Sequence, residues 1–194
     1  MNTSSAPTAS TEASSAGTPL NALLLAGVVV IALIFAFSST GDQWYALFKW
    51  IHVTFAVIWV GGGAFLTILA IRAQRSGDTA EIVAIARQAA FAGEKVFAPA
   101  GLIVFGMGIA MMINFDWGWG TFWIDAGLVG YAATFITGIA VLSPLAKQIQ
   151  TSAAEKGPEH PDTIAIINKI LLIARVDISV LLLVVADMVT KPFQ

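Results

Sequence analysis

Five apolar blocks of membrane-spanning length, separated by short polar stretches, leave this chain very few folds. They run Leu20–Phe37, Trp44–Ala73, Val96–Phe115, Phe122–Leu145 and Ile170–Val189. A hydrocarbon core about 30 Å thick is crossed by about 20 apolar residues of helix. Lipid offers no partner to a bare N–H or C=O, so only helices and closed barrels span it. The blocks lack the two-residue alternation of strands, and their spacing predicts helices. The expected fold is all-α: a polytopic transmembrane bundle of five spans, with spans two to five forming a four-helix core over residues 44–190. The chain is 57% hydrophobic and 11% charged, whereas soluble domains carry about 25% charge.

Charge and cysteine remove several function classes. The formal net charge is −2 and no basic run is present, so nucleic acid is not an expected partner. With no cysteine, disulfides, thiolate metal sites, covalent c-type haem and cysteine nucleophiles are excluded. Residues 1–19 are rich in Ser, Thr, Ala and Pro and are expected to form a disordered tail, too poor in apolar surface to offset its ordering entropy. Residues 20–38 read as a retained first span. No Lys or Arg precedes them, as a cleaved signal would require.

The linker at 76–95 opens with Asp78 and Glu81, a helix-start pair, and continues with Ile82, Ile85, Ala86 and Ala89 at helical spacing. It reads as an amphipathic helix that lies on the membrane or extends the next span. Ala146–Asn168, with Gly157, Pro158 and Pro161, reads as a polar loop. The Trp-rich turn Asp116–Trp123 fits an interfacial belt. Arg72, Arg75, Arg87 and Lys95 fall between spans two and three, and Lys147, Lys156 and Lys169 between spans four and five. The positive-inside rule then places both connections in the cytoplasm of a cell with this chain in its plasma membrane. The N-terminus is inside and the C-terminus outside.

Chemistry is expected where ionisable groups fall inside apolar helix. In the second span, Lys49 and His52 lie one turn apart, with His52 about 10 Å below the outer end at helical rise. Tyr45, Trp59 and Gly63 share that face at 100° per residue, and Gly61, Gly62 and Gly63 open the helix to a close neighbour or a flat macrocycle. Met107 and Met111 sit one turn apart on the third span, with Met107 near the depth of His52. An imidazole with a thioether suits Cu(I) or axial haem ligation; packing is the plainer role for each. Asp125 and Asp187 sit near outer ends, Asp125 as an interfacial helix cap and Asp187 as a partner for Lys49. Arg175 and Asp177 are two residues apart and point to different faces, so each needs a partner on another helix or water. They serve a structural ion pair or a proton path. Gly130, Thr134 and Gly138 form a small-residue stripe for close helix contact, within the bundle or between subunits.

The run Trp44-x4-Lys49-Trp50-Ile51-His52, followed by Trp59-Val60-Gly61-Gly62, resembles the first conserved helix of CopD-like and HemJ-like membrane proteins. It is most similar to their branch of predicted integral membrane proteins of unknown function. The resemblance covers about residues 44–190. It implies a haem-ligand role for His52 and a role for Lys49 in porphyrinogen oxidation on the HemJ-like side, and copper passage on the CopD-like side. Further histidines and lysines expected of a full haem enzyme are missing from spans three to five.

Three functions follow as expectations. The first is a b-haem-binding membrane protein with His52 and Met107 at the cofactor and Lys49 as catalytic candidate; if an enzyme, it is a haem-dependent oxidoreductase. The second is a copper-handling or ion-permeation protein using His52, Met107 and Met111. The third, without a cofactor, is an accessory subunit of a larger membrane complex or homo-oligomer.

Overall fold

The computed structural model describes residues 26–31, 33–34, 37–38, 42–115 and 117–193. The expected tail lies outside these residues, and so does much of the expected first span. Four long helices make up the rest: α1 (Gln43–Ser76), α2 (Thr79–Asn114), α3 (Phe122–Lys156) and α4 (Pro161–Thr190). They pack as a bundle. Two short connections join its ends, 77–78 and 157–160, and the longer turn between α2 and α3 holds Trp117 and Trp119.

Three of the four helices, α1, α2 and α4, start where the sequence supplies a side-chain cap. Asp42 accepts from the amides of Trp44 and Tyr45, and Asp78 accepts from Glu81 N at 2.8 Å, satisfying amides that have no partner within the helix. His160 caps α4, its Nδ1 accepting from Asp162 N, with Pro161 in the first turn. Gly77 (φ +74°) ends α1 and Gly157 (φ +99°) ends α3. Both lie in the positive-φ region that glycine enters without a Cβ penalty.

Of the two arrangements expected for the segment 76–95, the structure shows extension of the next span. From Thr79 it is the first half of α2, continuous with the third apolar block. The stretch 146–168 is not a loop. Helix α3 runs on to Lys156, and only four residues separate it from α4. Proline at position 161 begins a helix rather than interrupting one.

Each of α1, α2 and α3 contains one π turn near its middle, at Val57–Gly61, Gly93–Phe97 and Gly138–Leu142. Two have a direct cause. Pro99 and Pro144 lack an amide to give to residues 95 and 140, and their rings would strike those carbonyls. A widened turn just ahead of each proline removes the clash. The turn in α2 meets both of the others at mid-bundle.

Helices α1, α2 and α3 are long and apolar enough to cross a membrane, by length and composition, among the described residues. Helix α4, at 30 residues, carries Arg175, Asp177 and Asp187 and is not among the three. Exposed apolar side chains such as Val57, Val129, Ile136 and Leu183 cover the bundle exterior, as expected of helices that face lipid.

Candidate functional site

Two clusters of buried apolar residues lie at opposite ends of the bundle. At the charged end, Ala70, Ala73, Ile82, Ala86, Ile149, Ile167 and Leu171 interlock, and Ile149 is 0% exposed. At the aromatic end, Met112, Trp123 and Ile124 pack with Trp117, Leu128 and Met188. Between them lie two cavities.

The cavity nearer the aromatic end has a volume of about 420 Å³, within the range of small-molecule and cofactor sites. His52 lines it, with Gly61, Met111, Tyr131 and Met188. The ring is held by one bond: Nδ1 lies 2.8 Å from the Val104 carbonyl oxygen of α2. A carbonyl only accepts, so Nδ1 carries the proton, and a neutral ring keeps its lone pair on Nε2. Nε2 has no hydrogen-bond partner among the described residues. Gly108 faces the imidazole: a Cβ there would stand 3.4 Å from His52 Cε1, an ordinary van der Waals contact.

An aromatic wall closes the inner side. Tyr131 donates to the Gly101 carbonyl at 3.1 Å and stacks between Phe105 and Phe135. Trp59 meets Tyr131 edge-on at 5.5 Å and Phe135 at 6.0 Å. Trp59 lines both cavities. Gly61 borders the His52 cavity, Gly63 borders the other, and Gly62 lies under the Phe97 ring, 2.6 Å from where its Cβ would stand.

The expected site residues are only partly brought together. Met111 lines the His52 cavity and Met107 does not; Val104 and Gly108 take the place opposite the ring. Lys49 is exposed, its Nζ 5.6 Å above the Tyr45 ring. It makes no ion pair with Asp187: the described residues form four ion pairs and neither group is in them. Asp187 Oδ2 and Trp123 Nε1 are buried without hydrogen-bond partners, while Lys191 Nζ sits over the Trp117 and Trp123 rings. Asp125 is exposed in the first turn after Thr121, where its charge complements the helix dipole. Arg175 finds its partner on α1, donating to Gln74 Oε1 at 2.6 Å. Asp177 borders the second cavity. Gly130 packs on Val184 of α4, so that part of the glycine stripe is an internal contact.

Met112, Tyr131 and Met188 were not singled out by sequence. The available signal was Tyr131, a phenol in an otherwise apolar span, which in lipid must find an acceptor. No three of His, Cys, Asp and Glu gather as a metal group among the described residues.

An all-helical chain whose long apolar helices can cross a bilayer, with a polar ring turned into an apolar cavity open on one side, is an integral membrane protein. It belongs to the predicted integral membrane protein family DUF2269, whose model matches residues 46–192. No curated protein and no solved structure matches the chain.

Proposed function

We propose that this protein binds b-type haem in the His52 cavity, with Nε2 of His52 as axial ligand, and that it serves membrane redox chemistry. The observation that carries this reading is the 2.8 Å contact from His52 Nδ1 to the Val104 carbonyl. An imidazole that donates from one nitrogen to a backbone carbonyl is oriented and made more basic at the other, the usual arrangement of a metal-bound histidine. A plain packing histidine gains nothing from leaving Nε2 bare beside a cavity.

The remaining features fit a tetrapyrrole. The walls are almost entirely apolar, and Gly61 has nothing within 4 Å of where its Cβ would stand, so a flat ring can lie close to the backbone. Met111 and Met188 line the same cavity and would offer a thioether as a further iron ligand. Bound haem would supply one-electron chemistry, while the chain's part is to fix the imidazole and exclude water. Copper fits less well: one imidazole with thioethers suits Cu(I), but a single metal ion does not use a chamber of about 420 Å³. CopD/HemJ kinship, and a role for Lys49 in porphyrin chemistry, belong to this proposal too.

The membrane arrangement completes it. We read five spans, α4 and the segment around 20–38 being the other two, in the plasma membrane with the basic connections and N-terminus cytoplasmic and the C-terminus outside. Of the charges of α4, Arg175 is tied to Gln74 of α1 and Asp177 borders the second cavity, the settings in which intramembrane charges occur.

The test is a spectrum. Protein purified in mild detergent from haem-replete cells is expected to show a Soret band that His52→Ala abolishes while helical circular dichroism is kept. A colourless preparation that also takes up no added haemin would sink the proposal. Metal analysis of the same sample separates copper from haem.

A further inference from the structure

The second cavity lies on the other side of Trp59 and shares none of the His52 chemistry. Its volume is about 160 Å³ and its walls are mostly apolar, drawn from all four helices and all three π turns. A cavity of about 150 Å³ accommodates one benzene-sized group; this one is open on one side, past the exposed Ile139, which leaves room for a substituent beyond the ring.

Asp177 is the one ionisable side chain on this wall. It has no hydrogen bond or ion pair among the described residues. Its neighbour Arg175 is engaged elsewhere, with Gln74. The hydroxyls of Thr67 and Thr134 donate to carbonyls of their own helices, at Gly63 (2.8 Å) and Gly130 (3.0 Å), so neither is free to donate to the carboxylate. A carboxylate in this position is costly unless a proton or a cation accompanies it.

The wall selects among cations. Small metal ions need about six oxygen ligands, and these walls do not offer them. An organic ammonium ion needs less: an opposite charge for its head and ring faces for its body. Trp59, Phe97 and Phe135 provide the rings. We infer that this cavity is a binding site for a small amphiphilic organic cation of the aromatic quaternary ammonium class, with its apolar body among Trp59, Phe97 and Phe135 and its head at the Asp177 carboxylate. The inference is independent of haem at His52.

The test uses phenyltrimethylammonium, with tert-butylbenzene as its neutral counterpart of the same shape. Equilibrium dialysis of labelled phenyltrimethylammonium against the full chain in detergent is expected to show one saturable site. Asp177→Asn should weaken it at least tenfold while Asp177→Glu retains it, with circular dichroism verifying that both variants are folded. On the unaltered protein, tert-butylbenzene should compete at least tenfold less well, a comparison that stands even if the Asn variant fails to fold. No saturable binding, affinity within twofold in Asp177→Asn, or equal competition by the neutral compound would each overturn the assignment.

Discussion

The two ends of the bundle are held by different forces. At the charged end, Ile82, Ile149 and Ile167 interlock with alanines, and polar clips join the helices. Ser152 Oγ and Thr163 Oγ1 lie 2.7 Å apart, Arg72 pairs with Glu81 at 2.8 Å, and Lys147 pairs with Glu94. At the aromatic end, packing rests on rings and methionines around a large cavity, and two buried polar atoms lack partners. Helix length accounts for part of the difference. Helix α2 has 36 residues, about 54 Å at helical rise, against a hydrocarbon core of about 30 Å. The surplus turns stand in water, where burying isoleucine lowers the free energy. Inside lipid, apolar packing against a helix gains little over packing against acyl chains. Tight apolar cores therefore belong to the water side, and open chambers cost less in the membrane.

That contrast can be broken. Ile149→Ala, at the centre of the charged-end cluster, is expected to lose about 2–5 kcal/mol, read as a lower thermal unfolding midpoint in detergent. An unchanged midpoint would mean that the cluster is not a core. The aromatic end should respond less, and through glycine. A Cβ at Gly130 would stand 2.4 Å from Val184 Cγ2, on a branched side chain that cannot swing away, so Gly130→Ala should cost about 1–3 kcal/mol. Gly61→Ala meets nothing within 4 Å and should be neutral or gain up to about 1 kcal/mol in the same melt. Equal losses at the two glycines would show that the cavity beside Gly61 closes in solution.

The smallest effect concerns pH at the charged end. The hydrogen bond from Lys156, together with its charge, holds the Asp162 carboxyl below its ordinary value. A depressed carboxyl stabilises the folded state above its unfolded pKa of about 4, and this contribution disappears as pH falls through the lower folded value. Both groups are exposed, so the loss is small. Acid melts of Asp162→Asn and the unaltered chain should converge at low pH and differ slightly at neutral pH.

Helix identity, the Asp78–Glu81 start and the placement of Trp59 beside His52 were all legible from spacing. The face assignments failed from residue 61 onward, and the π turn is the reason. It inserts one extra residue, which rotates every later side chain by about 100°. Uninterrupted spacing puts Gly63 on the His52 face and Gly61 opposite, yet Gly61 borders the His52 cavity and Gly63 the other. For the two later turns the signal was available in Pro99 and Pro144. The turn at 57–61 has no proline to announce it. Met107 failed for a different reason. Its depth followed from counting residues, but the face of α2 that meets α1 is the one carrying Val104 and Gly108, a tertiary fit without local signature. The Lys49–Asp187 pairing rested on opposite charge alone. Lys49 meets a tyrosine ring instead, and charge says nothing about reach.

Trp59 forms the common wall of the two chambers. An indole pressed from one side has less freedom to yield on the other, so a guest in either room alters the free energy of admitting a guest to its neighbour. Thermodynamic reciprocity makes that influence equal in both directions. Communication between the rooms would then require no travelling rearrangement of helices, only a partition that cannot move two ways at once.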